Sequence, residues 1–173
     1  SIALDSHGSP HISYRNRISG ELRYAYREGA VWQFETIDAE PNVPWMTSLA
    51  IDVEDVPHIA YFVGYPLYDL RYATRIDSGW HIETVDQEGE TGWYPSIAVD
   101  VKDGIHISYE DGNEDDLRYA FKDVSGWHLE TIDSDGYVGY STSIALDSDA
   151  RPHISYLHIT FDAAHQTETR YAH

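Results

Sequence analysis

The stretch Ser1–Tyr14 reads SIALDSHGSPHISY, and close copies recur as SLAIDVEDVPHIAY at Ser48–Tyr61, SIAVDVKDGIHISY at Ser96–Tyr109 and SIALDSDARPHISY at Ser143–Tyr156. The starts are spaced by 47, 48 and 47 residues, a fixed period that decides the fold class. Each copy holds two short runs rich in Ile, Val, Ala and Tyr around a turn with Asp, Gly or Pro, which predicts a β-hairpin. Downstream stand ELRYA, DLRYA, DLRYA and ETRYA, carrying Arg23, Arg71, Arg118 and Arg170. Three repeats then add WQFETID, WHIETVD and WHLETID from Trp32, Trp80 and Trp127, and the fourth reaches His173 without that run. No stretch has helical spacing.

Four strands in a unit of about 47 residues match one blade of a β-propeller, a four-stranded sheet standing beside a central channel. The expected fold is therefore all-β, one propeller domain over residues 1–173 with repeats 1–47, 48–95, 96–142 and 143–173. Side-chain size is graded along each repeat. The first run is small near its start (Ser1, Ala3, Ser96, Ala98), the middle runs carry Ile, Leu and Tyr, and the last opens on Trp. A blade narrow at the axis and wide at the rim needs this order, whereas a two-sheet sandwich does not.

The hairpin SIALD-turn-PHISY, with Asp5 before the turn and Gly8 inside it, resembles the first hairpin of NHL-type and related bacterial propeller repeats. The resemblance covers nearly the whole chain and implies a fold and a habit of binding ligands or partners rather than a reaction. The terminal Trp-Asp of WD40 repeats is missing, and the Asp5-Ser6-His7-Gly8 turn lies between the first two strands instead of forming the box of sialidase-like propellers. Sialidase chemistry is accordingly not implied.

The end blades of a propeller must each bury a face. Two closures are expected: a four-bladed monomer, or a homodimer in which two copies share one eight-bladed ring. Steep angles between four blades, and no fourth-strand run before Ser1 to latch the last blade, favour the homodimer. The sequence opens on Ser1 in mid-pattern, so an N-terminal portion with any signal it carried is expected to be missing, and a piece of a longer chain is a third reading.

With 42% hydrophobic residues the chain can bury a core. Thirty acidic residues against 11 basic ones give a formal charge of -19, which repels a nucleic-acid backbone. No apolar run approaches the roughly 20 residues that span a bilayer, and without cysteine the chain carries no disulfide or thiolate metal site. Neither nucleic acid nor membrane is expected as a partner. The compartment stays open, an extracellular one being compatible with this composition.

His11, His58, His106 and His153 each lie six residues after an aspartate: Asp5, Asp52, Asp100 and Asp147. Across a short hairpin such residues meet, so a structural imidazole–carboxylate pair is expected in every blade. Convergence of the imidazoles on one metal ion is the alternative, and an eight-fold ring is too wide for ligands that must reach about 2.0 to 2.1 Å. The arginines are expected to pair with Glu35, Glu83 and Glu130 of the fourth strands.

Equivalent propeller loops gather on one face, where ligands bind. Ahead of each new repeat stand Trp45, Trp93 with its neighbour Tyr94, and Tyr140, accompanied by Asp38, Glu40, Glu88, Glu90, Asp133 and Asp135. Aromatic rings interleaved with carboxylates suit a carbohydrate, whose apolar faces stack while its hydroxyls hydrogen-bond. Plugs between blades are the plainer reading of the same rings. The run Glu110–Asp116 (EDGNEDD) could gather oxygens around Ca²⁺, yet lacks the spacing of an EF-hand loop and reads as a solvated acidic turn. No cofactor, metal site or catalytic residue is otherwise indicated. The expected function is a non-catalytic, lectin-like binding module for a carbohydrate or protein ligand. A polysaccharide-acting enzyme using loop carboxylates, either a glycoside hydrolase or a lyase, is the rival reading, and a structural repeat spacer is a third.

Overall fold

His11 and Ser13 are buried along the alternating strand Pro10–Arg15, whereas the equivalent strands Pro57–Phe62 and Ile105–Asp111 are buried on both faces. A strand hidden on both faces needs a packed layer on each side. The computed structural model describes residues 1–40, 46–77, 79–160 and 166–173. It supplies those layers as four antiparallel sheets in chain order. The first is β1 (Ile2–Leu4), β2 (Pro10–Arg15), β3 (Leu22–Glu28) and β4 (Val31–Asp38). The second is β5 (Met46–Ile51), β6 (Pro57–Phe62), β7 (Leu70–Ile76) and β8 (Gly79–Asp86). The third is β9 (Thr91–Val99), β10 (Ile105–Asp111), β11 (Asp116–Asp123) and β12 (Gly126–Asp133), and the fourth has three strands, β13 (Tyr137–Leu146), β14 (Pro152–Ile159) and β15 (Thr167–Ala172). The chain is an all-β propeller of four such units.

Three apolar clusters fill the three junctions between consecutive sheets. Leu22, Tyr24 and Ile37 of the first sheet meet Leu49, Ile59 and Tyr61 of the second. Leu70, Tyr72 and Val85 meet Ile97, Ile107 and Tyr109, and Leu117 meets Ile144, Ile154 and Tyr156. The first strands lie side by side at the narrow end, where the backbone N–H groups of Leu49, Ile97 and Ile144 donate to Ser1, Ser48 and Ser96 Oγ of the preceding sheet at 3.2, 3.2 and 3.1 Å. At the rim, Trp80 and Trp127 pack edge-on against Tyr24 and Tyr72 of the preceding sheet and donate Nε1–H to Glu35 and Glu83, each at 2.8 Å.

The arginines do not take Glu35, Glu83 and Glu130. Glu35 stands opposite Tyr24 and Arg23 opposite Thr36, so glutamate and arginine leave opposite faces of one sheet. Three of the four reach back instead to an aspartate ending the previous sheet: Arg71 to Asp38 at 3.2 Å, Arg118 to Asp86 at 3.1 Å and Arg170 to Asp133 at 3.0 Å, while Arg23 of the first sheet pairs with Glu21 at 3.3 Å. Tyr61, Tyr109 and Tyr156 donate to the same carboxylates at 2.9, 2.7 and 2.8 Å. Burial and the neighbouring aspartate push the Tyr61 and Tyr109 hydroxyls far above the ordinary tyrosine range.

The outer faces of the first and fourth sheets are uncovered. Ile2 is 64% exposed, against 7, 7 and 8% for its equivalents Leu49, Ile97 and Ile144. Tyr171 is 58% exposed, whereas its equivalents Tyr24 and Tyr72 are buried.

Candidate functional site

The aspartate that ends each first strand does two jobs. One carboxylate oxygen accepts two backbone N–H groups of the turn, from His7 and Ser9 to Asp5, from Glu54 and Val56 to Asp52, from Lys102 and Gly104 to Asp100, and from Asp149 and Arg151 to Asp147. The other faces the histidine Nε2, at 3.5 Å for His11, 3.1 Å for His58, 3.4 Å for His106 and 3.6 Å for His153. Nδ1 of the same rings meets a tyrosine hydroxyl of the third strand: Tyr24, Tyr72, Tyr119 and Tyr171 in turn. Burial holds the His58 and His106 imidazoles below their usual range, partly offset by Asp52 and Asp100. Burial would raise Asp100, but the Gly104 and Lys102 amides and His106 together hold it below the ordinary carboxylate range. Both ring nitrogens are engaged inside each blade, and among the described residues no group of three or more His, Cys, Asp or Glu could hold a metal ion.

At the opposite end of the sheets the pattern breaks. Trp93, Tyr94 and Tyr140 lie not in connections but within β9 and β13, inner strands that begin earlier than the SIALD motif. Two glycines allow this. A Cβ on Gly92 (φ +100°) would sit 2.8 Å from the Leu70 Cα, and one on Gly139 (φ +93°) would sit 3.0 Å from the Asp116 carbonyl oxygen. Tyr94 and Ser141 follow with φ of 49° and 52°, in the left-handed region that is costly for these residue types, and the pairing with β10 shifts register on both sides of Glu110. Trp45 lies outside the described residues.

Trp93, Tyr94 and Tyr140, with Glu90, Glu110, Gly112 and Asp115, line a cleft of about 160 Å³ between the third and fourth sheets. At about 30 Å³ per molecule of liquid water, this holds a few waters or one ring substituent. Tyr94 and Tyr140 stand with ring centroids 5.3 Å apart, and Trp93 lies 6.4 Å from Tyr94. Glu110 faces Trp93 across the ladder and is 3% exposed. Among the described residues its carboxyl makes no hydrogen bond. Burial, and then the charges of Asp115 and Asp111, push it up to about 8. Trp93 Nε1 is likewise buried without an acceptor, and a Cβ on Gly112 would lie 2.8 Å from it. Burial and the nearby Glu110 charge raise both Tyr94 and Tyr140.

Of this set, residue type and place in the repeat point to Trp93, Tyr94, Tyr140 and Glu90, while in the sequence Glu110 and Asp115 belong to what reads as an acidic turn. Asp111 of that turn is occupied, since it accepts the Asn113 N–H and pairs with Arg118 at 3.4 Å. The signal for Glu110 is its place directly after the Tyr of the hairpin motif, where the other repeats carry Arg15, Phe62 and Leu157.

No protein-family model and no curated protein matches the sequence. Solved structures do resemble the fold. A protein of unknown function from Dyadobacter fermentans superposes with a TM-score of 0.74 at 10% identity over 98% of this chain and 51% of its own. An ulvan lyase, a polysaccharide lyase bound to a saccharide, gives 0.64 at 15% identity over 98% of this chain and 54% of its own. The Aleuria aurantia lectin with alpha-methyl-L-fucoside gives 0.60 at 12% over 91% and 52%. At these identities the likeness is one of fold, a propeller of repeated four-stranded sheets like that of the fucose lectins. The chain spans about half the length of these neighbours.

Proposed function

We propose that this chain is a carbohydrate-binding propeller module without chemistry of its own, and that the cleft of Trp93, Tyr94 and Tyr140 is where it holds its ligand. The observation that carries this reading is a cleft lined by three rings in which the Trp93 indole N–H is buried without a partner and the buried Glu110 carboxyl makes no hydrogen bond among the described residues. A buried polar group without a partner costs about 1–3 kcal/mol, which a ligand hydroxyl would relieve. Rings take the apolar face of a sugar. Lectins among the structural neighbours support the ligand class. A glycan array on the intact protein tests it: a binder should emerge, and Tyr94→Ala and Tyr140→Ala should each weaken it at least tenfold. An empty array, or binding untouched by both variants, overturns the reading.

The enzyme reading draws on one specific observation, a buried carboxyl held protonated near neutral pH beside two tyrosines. A group so poised suits general-acid work on a polysaccharide, and one neighbour is a lyase. Turnover of any polysaccharide that Glu110→Gln abolishes would replace the binding proposal.

For assembly, we infer that a second copy of this chain covers the faces bearing Ile2 and Tyr171, forming one ring across a homodimer. The neighbours of about twice the length support this, as do the uncovered end faces. Sedimentation should give twice the 19.7 kDa chain mass, and a monomer at all concentrations would overturn it. Kinship of the hairpins with NHL-type repeats belongs at the same level, supported by the Asp-turn-His pattern.

A further inference from the structure

We propose that the cleft between the third and fourth sheets selects a ligand carrying an organic cation, an amino sugar with a free ammonium, seated against the Glu110 carboxyl and the faces of Tyr94 and Tyr140. This rests on the ligand-binding reading above and names its chemistry.

The lining decides the charge. Glu90, Glu110 and Asp115 contribute three carboxyls, and no Lys, Arg or His is among the seven residues of the cleft. Arg118, the cation of the adjoining strand, is turned to the other face, where Asp86 at 3.1 Å and Asp111 at 3.4 Å hold it. The groups bearing on Glu110 are thus Asp111, Asp115, Tyr94 and Tyr140, each acidic or aromatic. A sugar carboxylate or sulfate would enter against all of them. An ammonium would meet the Tyr94 and Tyr140 rings, tilted at 38° with centroids 5.3 Å apart, whose faces attract a cation, together with a carboxyl that no donor among the described residues serves. Its three N–H groups are donors only, which matches the Glu110 carboxyl once ionised, while the unpartnered Trp93 indole N–H, itself a donor, is left for a hydroxyl oxygen of the same sugar.

Ionisation is the distinguishing feature. With the cleft empty, burial and like charges keep the proton on Glu110 at neutral pH. An ammonium entering the cleft reverses that preference, so the carboxyl gives its proton to solvent and the pair becomes carboxylate and ammonium. Binding therefore releases a proton, whereas a neutral sugar held by the same rings releases none. A pure stacking site would bind both sugars alike and leave protonation unchanged.

Glucosamine, N-acetylglucosamine and glucuronate are the probes, titrated calorimetrically into the intact protein at pH 7 in two buffers of different ionisation enthalpy. The expected result is at least tenfold tighter binding of glucosamine than of N-acetylglucosamine, no binding of glucuronate, and net release of a large fraction of a proton per glucosamine, reduced from one by the proton that the neutral fraction of its amine takes up. Glu110→Gln should abolish both the preference and the release. Asp115→Asn, in the exposed turn, should reduce the preference severalfold and serves if the first variant does not fold. Equal binding of glucosamine and N-acetylglucosamine, or a preference without proton release, overturns the cation proposal while leaving a carbohydrate site. Binding of none of the probes also overturns it, and the array described above then decides the wider reading independently.

Discussion

Phe62 and Glu110 occupy the same place in consecutive blades, each directly after the Tyr that ends its hairpin motif. Phe62 is fully buried and meets Trp93 of the next inner strand with ring centroids 4.3 Å apart, so the second junction is closed. At the third junction Glu110 replaces the ring, Tyr140 stands where Trp93 stood, and a cleft of about 160 Å³ remains. Two changes of side chain within a repeated frame, Phe62 to Glu110 and Trp93 to Tyr140, thus separate a plug from a cavity. Repeated residues hold the blades, and the departure from the repeat makes the candidate site.

The comparison breaks most visibly if its closed member is emptied. Phe62→Ala should lower stability by about 3–5 kcal/mol through loss of buried ring and the void left behind, read as a reduced urea midpoint at unchanged slope. An effect below 1 kcal/mol would mean that the second junction is not packed as described.

The reciprocal change, Glu110→Phe, should close the third junction. Stability at pH 9 should rise by on the order of 2 kcal/mol as ring replaces ionised carboxyl, and ligand binding should vanish. The pH dependence carries a sign. Glu110 ordinarily titrates at 4.5 and in the fold at about 8. Between these values the folded state holds a proton that the unfolded state has released, so this contribution is greatest below 4.5 and is lost as pH rises through 8. Unfolding of the wild type measured across pH 5–9 should show that decline, and the variant should not.

A smaller effect of opposite sign belongs to the other end of the sheets. Burial holds His58 and His106 below the ordinary imidazole value of 6.5, so the unfolded state binds protons that the fold refuses. Stability from these rings is present above 6.5 and fades as pH falls below it. In wild type the trends overlap, while Glu110→Phe should leave the histidine trend, joined by that of the Ser1 ammonium that burial also lowers, as a loss of stability from pH 7 to 5. A flat profile in that variant would contradict the account of the relays.

The smallest expected change is a control on the hairpin turns. Ala150 has φ of 62° at the position that Gly8 fills in the first repeat. Ala150→Gly should therefore gain about 1 kcal/mol, measured as a raised melting temperature, with ligand binding at the cleft unaltered.

Much of this was legible in the residues. The period of the hairpin motif carried the blades and their order from small inner to large outer side chains, and the six-residue spacing brought each Asp beside its His. Two things escaped. The arginine partners depended on which face each side chain leaves, and one ladder register puts Glu35 and Arg23 on opposite faces. Glu110 escaped because its meaning lies in what Phe62 does at the neighbouring junction. That filling is visible only once the sheets are stacked.

The serine bonds at the narrow end bear on how this chain behaves beside others of its kind. A strand at the margin of a sheet normally offers free amides to any passing extended peptide, which is how fibrils recruit. The amides of Leu49, Ile97 and Ile144 already donate to the hydroxyls of Ser1, Ser48 and Ser96, so those three donors are not open to a foreign strand. A repeated serine hydroxyl thereby takes up one inner-strand donor at each of the three junctions between consecutive sheets and ties neighbouring blades together at the same place.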